Sequence, residues 1–380
     1  MALFYQDNFK LGILGGGQLG RMLLQETVDL NVTTACLDPD AHAPCKNLAG
    51  EFVKGSLNDY QTVYDFGLDK SILTIEIENV NIDALTDLEA RGVKVFPQPR
   101  VLKIIKDKGL QKQFYQEHHI PTAEFVLVEN KASITAYTGN FPYMQKLRIG
   151  GYDGKGVYRL KSETDLPGAF DAPSVLEKFV DFEREIAVIV ARNPRGETAV
   201  FPVVDMDFNR QANLVEYLFS PSEIDEKLQQ EAQKIALTII EKLEMAGVLA
   251  VEMFVTKNGQ ILVNEIAPRP HNSGHHTIEA NKTSQYGQHL RAILDLPLGS
   301  TEMIYPSVMV NLLGEPGFEG QAVYEKLEEV VKMPGTYVHL YGKKITKPFR
   351  KMGHVTIVSQ NLDQAKHQAK QVKQLLKVKA

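Results

Sequence analysis

The chain has 380 residues, more than one hydrophobic core usually serves, so two or three domains are expected. With 42 Lys and Arg against 47 Asp and Glu, its formal charge of −5 excludes a global field that would draw it onto nucleic acid or an anionic membrane. Cys36 and Cys45 are too few for a disulfide framework, no run of apolar residues is long enough to span a membrane, and no leader pattern opens the chain. A cytoplasmic protein is expected.

Leu11 to Leu14 reads as a short apolar strand running into Gly15, Gly16 and Gly17, followed by a helix over 18–28. A strand over 32–37 ends at Asp38, and further β-like runs at 71–77 and 93–96 alternate with helical stretches. Residues 1–100 therefore read as a parallel α/β domain. A basic helical run over 101–119 opens a second domain, 101–300, with strands at 174–178 and 185–192, a helix at about 222–245 and a hairpin after it. A smaller, mainly β domain is expected over 301–380, closing on a helix at 362–377 whose lysines form a solvated face.

Three features carry chemistry. Gly15, Gly17 and Gly20 have the G-x-G-x-x-G spacing between strand and helix, with Asp38 about 20 residues on, which by itself suggests a nicotinamide cofactor and a dehydrogenase. The same glycines would also let backbone approach any phosphate at a helix terminus. Second, the stretch GVLAVEMFVTKNGQILVNEIAPR reads as a hairpin turning at Asn258-Gly259. If Lys257 pairs with Gln260, Glu252 falls opposite Glu265. Like charges so placed repel, and a hard cation such as Mg²⁺ would offset them while keeping positions open for phosphate. Third, KLRIGGYDGKGVYRL lacks the Walker pattern but suits a glycine-rich flap whose N–H groups, with Lys146 and Lys155, wrap a polyphosphate.

Lys146, GGYDGKG at 150–156, EKFV at 177–180, Glu185 and NEIAPRPHNSGHHTIEA at 264–280 together resemble the N5-carboxyaminoimidazole ribonucleotide synthetases, ATP-grasp enzymes of purine biosynthesis. ILGGGQLGRML at 13–23, TIEIENV at 74–80, KIIKDKGLQKQF at 103–114 and HLYGK at 339–343 extend the resemblance along nearly the whole chain. It implies an α/β ATP-grasp fold with a Rossmann-like N-terminal domain and a small C-terminal one. For ATP it implies Lys106, Lys146, Gly151, Tyr152, Asp153, Gly154, Lys155, Gly156, Val157, Glu177, Lys178, Phe179, Val180, Glu185, Asn264 and Glu265, with Glu252 and Glu265 as the magnesium carboxylates. Arg269, His271 and Asn272 would form the bicarbonate and carboxyphosphate pocket, joined in catalysis by Lys155. Glu76, Tyr152, Lys155, Lys343 and Arg350 would meet 5-aminoimidazole ribonucleotide.

The resemblance implies that bicarbonate attacks the γ-phosphorus of ATP, giving carboxyphosphate and ADP, and that carboxyphosphate or its CO₂ then meets the ribonucleotide's exocyclic amine. His271 would either move a proton or only hydrogen-bond an oxyanion. A homodimer without nucleic-acid or membrane partners is expected. The rivals are a formate-using ATP-grasp ligase such as a glycinamide ribonucleotide transformylase and, from another class, an NAD-dependent dehydrogenase.

Overall fold

A computed structural model describes Phe4 and residues 6–151, 156–209 and 214–380. Its first layer is a wholly parallel sheet of β1 (Leu11–Leu14), β2 (Thr34–Asp38), β3 (Glu51–Lys54), β4 (Ile72–Ile75) and β5 (Lys94–Phe96), in the order β3-β2-β1-β4-β5. Helices α1 (Gln18–Asp29), α2 (Tyr60–Gly67) and α3 (Ile82–Ala90) alternate with these strands. β1 and β4 are buried along their whole length, as their unbroken apolar runs require of strands covered on both faces. The winding reverses between β1 and β4, so a crevice lies beyond their carboxyl ends, where Gly15 and Glu76 sit.

The basic run after Pro99 is two helices rather than one, α4 (Pro99–Lys106) and α5 (Lys108–Glu117). Asp107 leaves helical geometry, caps the second helix by accepting from the Gly109 and Leu110 N–H groups, and takes Arg148 in a two-point pair at 2.9 and 2.6 Å. After it, β6 (Phe125–Val128), the short α6 (Lys131–Ile134), β7 (Tyr143–Leu147), β8 (Val157–Leu160) and β9 (Ser174–Lys178) make a four-stranded antiparallel sheet in the order β6-β9-β7-β8.

The next strands are β10 (Phe182–Arg192), β11 (Thr198–Val200), β12 (Val204–Asn209), β13 (Leu214–Ser220), β14 (Gly247–Thr256) and β15 (Ile261–Ala267), with α7 (Glu226–Lys242) between β13 and β14. One face of this sheet packs on α7 through Ile186, Val188, Val251, Met253, Ile235 and Ile239. By the two-residue alternation of strands, the other face carries Glu185, Ala187 and Glu252. After α8 (Thr277–Ala280) and α9 (Gln285–Ile293), the C-terminal strand β16 (Ser307–Leu313) pairs with β13, so the same sheet continues. Following β17 (Gly320–Gln321), β18 (Val323–Glu325) and α10 (Leu327–Val331), β19 (Thr336–Leu340) and β21 (Lys351–Val358) extend it to nine strands, with β20 (Ile345–Thr346) between them in sequence. The final helix α11 (Leu362–Leu375) covers β16, and β22 (Lys377–Lys379), unanticipated from sequence, pairs with β18.

His289 of α9 pins the first layer to the second. Its Nδ1 accepts from the Val248 N–H at 3.1 Å, which leaves Nε2–H to donate to Thr74 Oγ1 at 2.9 Å. Burial pushes its pKa down to about 3, so the native ring is neutral. The unfolded chain binds a proton here below about pH 6.5, while the native state resists until about 3. Its contribution is therefore complete above about pH 6.5 and declines as the pH falls, by up to ~1.4 kcal/mol per unit. Urea unfolding midpoints from pH 7.5 to 5 should fall less steeply for His289→Gln than for the wild type; parallel curves would remove His289 from the acid response.

Candidate active site

The acidic residues beside the first glycine loop are engaged with the loop itself. Asp38 accepts from the Gly16 N–H at 2.6 Å and, through its other oxygen, from Asp40 N–H at 2.7 Å. Glu76 accepts from Gly20 N–H at 2.8 Å, in the first turn of α1. A Cβ at Gly15 or Gly17 would lie 2.5 Å from Glu76 Cγ or 2.2 Å from its Oε1, and Gly15 also has φ +101°. These glycines make room for a carboxylate of the same chain, in a helix-terminal position that favours anions. A ribose-binding Asp38, and with it the dehydrogenase alternative, loses its support.

The hairpin reaches the expected opposition by a different route. Thr256 N–H donates to Gln260 O and Gly259 N–H to Thr256 O, so the loop has three residues ending in Gly259 at φ +73°, not a two-residue turn. That shifts the pairing to Met253 opposite Val263. A β-bulge at Asn264 then adds one residue and restores Glu252 opposite Glu265. Asn264 and Glu265 are both half-buried between the buried Val263 and Ile266, and both reach cations across the site face. Asn264 accepts from Lys146 Nζ at 2.9 Å, and Glu265 pairs with Lys108 at 2.8 Å.

The two glutamates differ electrostatically. Burial, then Glu265 and Glu185, raise the Glu252 pKa, whereas Lys108 above all lowers that of Glu265, whose side chain keeps 47% of its exposure. Glu185, on the same face, is pushed up to about 7 by burial. Two opposed carboxylates suit Mg²⁺, which takes one or two from protein and the rest from phosphate and water. Among the described residues no group of three or more His, Cys, Asp or Glu side chains is placed to hold a metal ion.

Glu177, at the end of β9, is buried and held by Lys146 at 2.9 Å and Lys112 at 3.2 Å. The two lysines lower its pKa against the effect of burial, while burial lowers that of Lys112. Lys106 instead donates to Val80 O at 3.0 Å, tying α4 to the first layer. Lys178 Nζ lies 4.8 Å over the Tyr143 ring, Phe179 lies under Arg159 at 4.0 Å, and Val180 is half-buried just before β10. Val157 sits opposite Lys146, and Gly151 and Gly156 flank residues 152–155 in sequence. Tyr152, Asp153, Gly154 and Lys155 lie outside the described residues.

Beyond β15, Arg269 pairs with Glu78 at 2.9 Å, and both Arg269 and Lys343 act on Glu76, so three segments distant in sequence converge there. His271 lies 3.6 Å from Glu252, with Nδ1 2.9 Å from Ser273 Oγ. Burial, then Arg269 and Lys351, push its pKa down to about 3. Asn272 exchanges amide hydrogen bonds with Asn311 of β16. Lys343 donates to Lys351 O at 2.8 Å, and Arg350 to Ile345 O at 2.6 Å.

Models of known domains match the chain in three places: the ribonucleotide synthetase preATP-grasp domain at residues 9–106, the ATP-grasp domain at 113–286, and the phosphoribosylaminoimidazole carboxylase C-terminal domain at 307–368. The N5-carboxyaminoimidazole ribonucleotide synthase of Synechococcus elongatus is 38% identical over 91% of this chain and 89% of its own. The chain belongs to that family. The phosphoribosylaminoimidazole carboxylase of Ogataea methanolica is 40% identical over 94% of this chain, which spans only about two thirds of the length of such relatives. The crystal structure of the Thermotoga maritima N5-carboxyaminoimidazole ribonucleotide synthetase superposes with a TM-score of 0.91 at 43% identity, covering 98% of this chain and 99% of that one. The Aspergillus clavatus N5-carboxyaminoimidazole synthase, solved with ADP and 5-aminoimidazole ribonucleotide, gives 0.87 at 32% identity, covering 96% and 98%.

Sequence reasoning passed over Lys108, Lys112, Lys351, Gln285 and Asn311. The first two stand on one helix at i and i+4, a spacing that puts both on one face and is the only signal they offer. Their carboxylate partners come from 65 or more residues away, which no local pattern encodes.

The asymmetry of the two glutamates predicts opposite responses without metal. Glu252→Gln removes a repelled, buried charge, so its melting temperature in EDTA should equal or exceed that of the wild type. Glu265→Gln leaves Lys108 without its carboxylate and should lower the melting temperature by about 1–2 °C, corresponding to roughly 1 kcal/mol in a chain of this size. A loss in Glu252→Gln equal to that in Glu265→Gln would contradict this.

Proposed function

We propose that the chain carboxylates the exocyclic amine of 5-aminoimidazole ribonucleotide with bicarbonate at the expense of ATP, giving N5-carboxyaminoimidazole ribonucleotide, ADP and phosphate. The reading is carried by one observation. A Glu252–Glu265 floor with Lys146 and Lys108 over it adjoins the Glu76–Arg269–Lys343 convergence, in a chain similar over nearly its full length to a relative solved with ADP and this ribonucleotide. Within the proposal, residues 1–100, 101–300 and 301–380 are the working units, which the spans of the matched domains support. The protein acts in the cytoplasm as a homodimer.

Bicarbonate oxygen attacks the γ-phosphorus as the bond to the bridging oxygen of ADP breaks. Lys146 and Lys155 stabilise charge spreading over the transferring phosphoryl group. Glu252 and Glu265 would hold Mg²⁺, which would supply positive charge at the phosphate oxygens. Glu177 holds Lys146 in place, and Glu185 with the 177–180 linker receives the nucleoside. Arg269 orients the bicarbonate-derived carboxylate. His271, neutral because it is buried among cations, donates a hydrogen bond to it. The ribonucleotide amine then bonds to the carboxyl carbon, losing a proton as phosphate departs, while Lys343 and Arg350 grip the 5′-phosphate and Glu76 faces the aminoimidazole.

ADP release in the presence of Mg²⁺ should require bicarbonate and 5-aminoimidazole ribonucleotide together, and formate with glycinamide ribonucleotide should not replace them. Equal rates with the formate pair would move the chain to the transformylase reading. Glu252→Gln and Glu265→Gln should each lower turnover about 10²-fold or more. Arg350→Ala should raise KM for the ribonucleotide tenfold or more, equivalent to about 1.4 kcal/mol, with KM for ATP within twofold. A rise confined to ATP would return Arg350 to the nucleotide side.

A further inference from the structure

The turn His271–Gly274 carries two residues of the proposed bicarbonate pocket, and its shape is imposed by two carboxamides from outside it. Gln285, at the start of α9 and fully buried, grips the His271 backbone on both sides. Its Oε1 accepts from His271 N–H at 2.8 Å and its Nε2 donates to His271 O at 2.7 Å. A Cβ at Gly274 would lie 2.4 Å from that Oε1, so the absence of a side chain at Gly274 is what lets the clamp close. Asn311, fully buried in the middle of β16, grips the next residue. It donates to Asn272 Oδ1 at 2.8 Å, accepts from Asn272 Nδ2 at 2.9 Å, and donates to Val215 O at 2.8 Å.

We propose that Gln285 and Asn311 are positioning residues which fix the His271–Asn272 pair for the bicarbonate-derived ligand, a role that rests on the function proposed above. A buried carboxamide that leaves its bonds unmade pays for desolvation, so each clamp has one low-energy arrangement and defines where the imidazole and the Asn272 amide stand. Backbone and side chain are thereby held from two different elements, one covering the first layer and one belonging to the long sheet. Lys146, Glu177 and Glu185, the residues assigned above to ATP, lie on other elements than either clamp.

The variants are Gln285→Met, which keeps the length and removes both bonds to His271 together with the 3.2 Å contact to His275 Nδ1, and Gln285→Glu, which keeps the acceptor. Asn311→Leu and Asn311→Asp form the corresponding pair. In full-length enzyme with ATP, Mg²⁺ and 5-aminoimidazole ribonucleotide, Gln285→Met and Asn311→Leu should lower kcat/KM for bicarbonate about 10²-fold, as expected for a small misplacement of reacting groups. ADP affinity by calorimetry should stay within twofold, and Gln285→Glu and Asn311→Asp should recover part of the loss. A merely structural role would instead lower melting temperature and ADP affinity together and leave the response to bicarbonate unchanged, which would overturn the proposal. Hydrogen exchange reads the clamp separately from turnover. The His271 amide should exchange at least about tenfold faster in Gln285→Met than in the wild type. If the wild type releases no ADP with bicarbonate, the proposed reaction fails while accelerated exchange still supports the clamp. Unchanged exchange overturns the clamp whatever the wild type does.

Discussion

Everything near the site is arranged around two carboxylates of like charge held face to face on a sheet. Glu252 and Glu265 cannot relax apart, because each is fixed by a strand whose other face is packed against α7. The surroundings answer them unequally: Lys108 neutralises Glu265, while for Glu252 burial outweighs the opposing effect of Lys351 and Lys108. Burial therefore makes the charged form of Glu252 costly. In the function proposed above, that cost would be relieved by a cation bound at the floor, more than for a pair of solvated glutamates.

The continuous nine-stranded sheet explains how residues more than 80 positions apart meet this floor. Because β16 pairs with β13 and β21 with β16, the register that sets Glu252 also places the start of β21, where Lys351 bears on both Glu252 and His271. A C-terminal unit joined only by a linker would leave that distance free. Backbone pairing across the junction fixes it, and the Asn272–Asn311 exchange adds a side-chain link between the two regions.

Legibility in the sequence followed range. β1 and β9 were read to the residue because short apolar runs bounded by Gly, Pro or polar residues are local signals. The helical run over 101–119 is broken at Asp107, which uses its side chain for capping and for Arg148, a partner 41 residues away that no local pattern shows. The hairpin is the more instructive case. Asn258-Gly259 suggested a two-residue turn, yet only Gly259 takes a positive φ, and the resulting one-residue slip is cancelled by the bulge at Asn264. The opposition of the glutamates was thus anticipated through an incorrect register. The presence of Asn264 on the same face as Glu265, which strict alternation forbids, was not visible at all.

The glycine loop shows how a motif can keep its geometry and change its meaning. G-x-G-x-x-G after a strand normally brings backbone N–H groups and a helix terminus toward an incoming phosphate. Here Glu76 takes the Gly20 N–H, Asp38 takes the Gly16 N–H, and the space left by the missing Cβ atoms at Gly15 and Gly17 is filled by the Glu76 side chain. An incoming pyrophosphate would have to displace a carboxylate and then sit beside it. The end of α1 therefore serves to hold a negative group belonging to the protein. Burial raises the pKa of Glu76, with Gly20, Arg269 and Lys343 opposing that rise. A carboxylate so placed presents acceptor oxygens to a ligand's N–H groups and repels phosphates, so in the function proposed above the ligand's phosphate would fall to Lys343 and Arg350, in the connections on either side of β20.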